Sequence, residues 1–178
     1  MVNNRYEKIN SNDEHAEIKI GEFIIKNINC IKNSKQIVIL CIGSNNIDGE
    51  FLAPLVERFL KENKKPLTST RVILTSDRKN VIKNIIRIKS RYNDPFIIVI
   101  ASEVGNSKDV GKIILKKDPV PSQLLQNIRV GNIAISAIVN DEDYDNDCDF
   151  YVQMQTAKLV LVYKIAKVIS KGLEFGLN

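Results

Sequence analysis

The chain reads as an α/β protein, a three-layer α/β/α sandwich around a mixed, mostly parallel sheet of about five strands, of phosphorylase/hydrolase-like type. Three observations predict it. Strand-like and helix-like patterns alternate over the first hundred residues, as in successive βαβ units. The runs QIVILCI (36–42) and FIIVIA (96–101) are continuously apolar and rich in β-branched residues, which suits strands buried on both faces. The run VGKIILKK (110–117) follows the second of these after too short a link for a helical crossover, so it is expected to run antiparallel.

The elements follow in order. Residues 1–12 are polar and read as a flexible tail, leaving 13–178 as a single α/β domain. From Glu14 to about Ile31 apolar residues recur at helical spacing, at Ile20, Phe23, Ile24 and Ile28. After the 36–42 strand comes the loop GSNNIDG, then a helix from Glu50 to about Asn63. RVILT (71–75) is a second strand. Residues 79–92 form a helix with Val81, Ile82, Ile85, Ile86 and Ile88 on or near one face, stopped by Asp94-Pro95. The segment PVPSQLLQNI reads as a short, proline-started helix and GNIAISAIVN (131–140) as a strand. The stretch 150–173 is a long helix with a wide apolar face, closed by Gly172 or Gly176.

Composition narrows the function. Hydrophobic residues make up 44% and charged residues 26%, an ordinary globular balance, and no apolar run approaches the roughly 18 residues of a membrane span. Cys30, Cys41 and Cys148 are odd in number and far apart, which favours reduced cytoplasmic thiols. His15 is the only histidine, which argues against a histidine-based triad and most zinc sites. The net charge of +5 hides an acidic run, DEDYDNDCD (141–149). The scattered basic residues elsewhere lack aromatic interleaving, so a solvated surface is expected rather than a nucleic-acid interface.

Sites in such sheets gather where parallel strands end. Ser44, Asn45, Asp48 and Glu50 follow the first strand, Thr75 and Asp77 close the second, and Glu103 lies just past the third. Glu50, Asp77 and Glu103 could converge in one cleft, where neighbouring carboxylates separate their pKa values into an acid and a base. Each acid also has a structural reading: Glu50 and Asp77 as charges at helix starts, Glu103 as a solvated loop charge. There is no G-x-G-x-x-G and no GK[ST], and the acidic run lacks the glycine and glutamate of a calcium loop.

Taken together, VILCIGSNNIDGEFLAPLV, IIVIASEVGNSKDVGKIIL, VGNIAISAIVN and LVLVYKIAKVI resemble, in the same order, segments of the YyaC-type sporulation proteins. The resemblance covers about residues 36–170 and implies a fold related to the spore germination protease and the hydrogenase-maturation proteases. It implies two catalytic acids. Glu50 matches the first, in the GD-x-LGP motif; Ala101 stands at the second, where the carboxylate is gone. Thr75 and Asp77 are kept, Val81 replaces a histidine, Ala53 replaces the motif glycine before Pro54, and Ser122 replaces the glycine after Pro121.

The resemblance thus implies a sporulation-associated, peptidase-like hydrolase of the cytoplasm of the sporulating cell or forespore, acting on a small spore protein. Glu50 with Asp77 or Glu103 would be its acidic pair, and Ser44, Asn45, Asp48, Thr75 and Asn140 would bind the substrate. No cofactor is expected beyond a divalent metal at Glu50 and Asp77. The alternative is a family member that lost the chemistry and serves as a binding or scaffold protein.

Overall fold

The structure, a computed structural model, describes residues 6–29, 36–62, 71–77, 80–117, 131–141, 155 and 157–178, with the backbone alone over 71–75. The elements are β1 (Tyr6–Asn10), α1 (Ala16–Ile28), β2 (Ile37–Ile42), a 3-10 turn (Asp48–Phe51), α2 (Leu52–Glu62), β3 (Arg71–Ser76) and α3 (Val81–Arg91). They continue with β4 (Phe96–Gly105), a 3-10 turn (Ser107–Asp109), β5 (Lys112–Lys117), β6 (Ile133–Asp141) and α4 (Leu159–Leu177). The short helix expected at PVPSQLLQNI and the acidic run 142–149 lie outside the described residues.

Among the described residues one sheet holds six strands, in the order β1-β5-β6-β4-β2-β3. β2 pairs in parallel with β3 and β4, and β4 with β6; β5 runs antiparallel to β6 and to β1. The mixed sheet expected from the short link before β5 is therefore present. All six residues of β2 are buried, as its uninterrupted apolar run requires of a strand covered on both faces.

Two clusters line the two faces. On one, Ile39, Cys41, Ile98, Ile100, Leu115, Ile135 and Val139 pack with α1, α2 and α4. On the other, Val38, Leu40, Ile42, Val99 and Ala101 pack with Val81 and Ile88 of α3. Each fully buried isoleucine contributes about 1.5–3 kcal/mol by leaving water. The chain passes from β2 through α2 to β3 on one side, then through α3 to β4 on the other side of β2. This reversal creates a switch point between the carboxyl ends of β2 and β4, where open α/β sheets place their ligands.

Two expectations are corrected. Residues 6–10, read as part of a flexible tail, form edge strand β1 with Ile9 buried against Ile113. One inward apolar residue is too little alternation to mark a strand in sequence. A charged clip holds it: Asp109 accepts from Lys8 Nζ at 2.5 Å and from Lys112 Nζ at 2.7 Å. These two lysines, Lys112 foremost, hold the Asp109 carboxyl down to about 2. The closing helix is described over Leu159–Leu177, with Ala157 and Lys158 outside it and most of 150–156 outside the described residues, and it runs through both glycines read as its stop. They are contact points instead. A Cβ on Gly172 would sit 2.5 Å from Ile20 Cγ2, and one on Gly176 2.8 Å from the Gly21 carbonyl.

Gly172→Val therefore forces α1 and α4 apart and destabilises the fold by about 1–3 kcal/mol, the usual cost of overpacking; urea unfolding checks it. The Asp109 clip has a pH signature. A carboxyl held low contributes stability that is complete above about pH 4 and is lost as pH falls through about 2. Asp109→Asn has lower stability at neutral pH and a shallower acid limb, read from unfolding curves taken across that range.

Candidate functional site

The crevice at the switch point is built first by Gly43. β2 ends at Ile42, and the chain folds back so that Ser44 N–H donates to the Glu50 carbonyl at 3.2 Å. A Cβ on Gly43 would lie 2.2 Å from that carbonyl oxygen, so only glycine fits. Gly43 N–H also donates to the Ser76 carbonyl at 3.1 Å, tying the ends of β2 and β3 together. Ser44 Oγ accepts from Asn46 N–H at 3.2 Å, which shapes the turn. Asn45 and Asp48 are exposed along it.

Glu50 lies in the 3-10 turn before α2, which packs against α2, α4 and β4. Its N–H donates to the Ile47 carbonyl at 3.0 Å, and the residue is only 2% exposed. A carboxylate so deeply placed is a rare feature, since burying a charge is costly without compensation. Glu50 does lie at a helix start, as its structural reading expects, but buried there.

Asp77 is exposed and serves its own turn. Its Oδ1 accepts from Asn80 N–H at 2.8 Å and its Oδ2 from Asn80 Nδ2 at 3.1 Å, the i+3 geometry of a capping side chain. Beside it, Asn84 Nδ2 donates to Ser76 Oγ at 2.9 Å. Thr75 sits in β3 across from Cys41. Burial pushes the Cys41 thiol well up, so it is an inert core group.

β4 runs on past Ala101 to Gly105, so Glu103 does share a face with Ala101, the side that α3 covers. Its carboxylate is engaged: Lys116 Nζ on β5 donates to Glu103 Oε1 at 2.6 Å, with side-chain exposures of 17% and 18%. Asn140 is half-buried on β6 across from Val104. The three acids thus come from three separate settings. Glu50 belongs to the turn on the α2 and α4 side, while Asp77 and Glu103 belong to the α3 side and have partners of their own.

Two groups escaped the sequence reading. Ser136 of β6 is directly paired with Ala101, and Lys116 reaches Glu103 across β6. The signal for Ser136 was present, as a lone hydroxyl in the apolar run IAISAIV. Its neighbours on β4 and β5 depend on register and could not be read. Among the described residues, Ser11, Ser102 and Ser136 each bury a side-chain hydroxyl without a hydrogen-bond partner. No group of three or more His, Cys, Asp or Glu residues able to hold a metal ion is found among the described residues.

A family described as protein of unknown function (DUF1256) matches residues 8–172. The chain belongs to this family. It is also similar to the Uncharacterized protein YyaC of Bacillus subtilis (strain 168), with 32% identity over 146 residues, covering 78% of this chain and 68% of the relative. The YyaC-type resemblance seen in the motifs is borne out by both matches. Like the fold, the DUF1256 assignment spans both the switch-point crevice and the β1–β5 edge. No helix among the described residues is long and apolar enough to cross a membrane.

If Asp77 acts as a cap, Asp77→Ala costs about 0.5–2 kcal/mol of stability, whereas Asp77→Asn, which keeps the acceptor, is close to neutral. Thermal unfolding of the two variants separates this from a catalytic role, for which Asn would be as damaging as Ala.

Proposed function

We propose that this DUF1256 protein is a peptide- or protein-binding member of a peptidase-like lineage, working in the sporulating cell without hydrolysing its ligand. The observation that carries this reading is the pairing of Glu103 with Lys116 beside Ala101. An acid–acid mechanism needs a second carboxylate free to exchange a proton with water or the leaving amine. At the strand-end position where the resemblance implies that acid, a methyl group stands. Of its two stand-ins, Glu103 is neutralised by a lysine and Asp77 is bonded to Asn80. What remains at the switch point is the turn after β2, which carries Ser44, Asn45 and Asp48, groups suited to hydrogen-bonding a polypeptide.

One observation favours a second reading, a hydrolase: Glu50 is buried, and a buried carboxylate is the kind of group that enzymes tune as an acid. In that reading Glu50 works with Asp77 or Glu103, released from its present partner when substrate binds, and the substrate is a small spore protein.

The two readings part in one assay with a mixed fluorogenic peptide library. The binding reading expects no turnover by the wild type, and ligand capture that is unchanged in Glu50→Gln. Turnover that falls by about 10²–10⁴-fold in Glu50→Gln would establish the hydrolase instead.

A further inference from the structure

We infer that Ser136, Lys116 and Glu103 form a recognition site for an amide group, so that the ligand of this protein is held by its main chain; this rests on the binding role proposed above.

The inference starts from an unmet hydroxyl. Ser136 is 2% exposed and its Oγ has no hydrogen-bond partner among the described residues. A buried hydroxyl left unpaired is a liability that folded proteins rarely keep. Sheet register sets its neighbours on the same face: Ala101 on β4, Ile114 on β5 and Ala134 two residues back along β6. Ala101, Ala134 and Ser136 make this patch of the sheet low in relief.

The ion pair crosses that patch. Lys116 is level with Ala134, one step to one side of Ser136, and Glu103 is level with Ile138, one step to the other. For Lys116 Nζ to reach Glu103 Oε1 at 2.6 Å, the two side chains must span β6 at the row of Ser136. The register therefore sets three polar groups around one row of the sheet, between Ile114 and Ile138. The serine offers a donor. The ammonium has three N–H groups, one of them directed at Glu103 Oε1, and the second carboxylate oxygen is an acceptor.

That set selects its ligand. A carboxylate would accept from Ser136 and Lys116 but meet the Glu103 charge. An ammonium would suit Glu103 and could donate to Ser136 Oγ, but it would meet the Lys116 charge and leave the serine O–H without an acceptor. A peptide or carboxamide group carries an acceptor and a donor side by side and satisfies all three. It is also neutral, so the existing ion pair need not break.

The test uses N-methylacetamide as probe, with acetate and methylammonium as competitors in charge, and Ser136→Ala as the variant. Backbone amide shifts of the full chain are read by NMR. The expected result is that N-methylacetamide shifts the amides of Ala101, Ser136 and Lys116, and binds about three- to tenfold more weakly to Ser136→Ala, the loss of one neutral hydrogen bond. The free variant is at the same time at least as stable as the wild type, because it removes an unpaired hydroxyl. A response to acetate or methylammonium alone overturns the amide assignment, as does an unchanged affinity in the variant. A lower melting temperature for the free variant overturns the premise that Ser136 lacks a partner. Failure here with library capture intact leaves the binding role standing; loss of both removes the two together.

Discussion

Everything in this protein depends on the burial of β2. Its six residues are covered on both faces, so its backbone amides and carbonyls have no access to water and must be paired by strands on either side. β3 and β4 do this in parallel register, which obliges the chain to cross back over the sheet twice. One crossing lays α2 on one face and the other lays α3 on the opposite face. The crevice between the ends of β2 and β4 is a by-product of that reversal. Gly43 lets the Glu50 carbonyl come down onto the end of the strand.

The far half of the sheet is held differently. β5 and β1 run antiparallel, and β1 presents a single buried isoleucine. Apolar burial alone gives such an edge little purchase, and the Lys8–Asp109–Lys112 clip supplements it. The same half carries Lys116, whose reach to Glu103 joins the edge to the centre. Charges that read as scattered surface in one dimension thus form two cross-strand ties. One is structural, at the β1 edge. The other lies beside the strand end where a catalytic acid would be expected, and it bears on function because it holds the carboxylate best placed to replace that acid.

In the binding role proposed above, the setting of the acids accounts for binding without hydrolysis. General acid–base work depends on one proton at one position, so a single change at Ala101 removes it. Binding to a polypeptide depends on several hydrogen bonds, and in the proposed role these do not require that acid.

Some of this was legible in the residues alone. The buried strands at 36–42 and 96–101, the helices between them and the antiparallel run of β5 all follow from local pattern, because burial on both faces and helical periodicity leave direct marks in the order of residues. The candidate loops were legible too, since parallel strands place sites at their ends. Tertiary structure alone decided the rest. Strand β1 is specified by its partner and by a lysine clip, neither of which is local. Gly172 and Gly176 read as stops but act as contacts, because only the approach of α1 gives their missing side chains a meaning. The pairing of Glu103 with Lys116, and of Ser136 with Ala101, is set by strand order and register. Those quantities bring distant residues together, and no periodicity within a single segment records them.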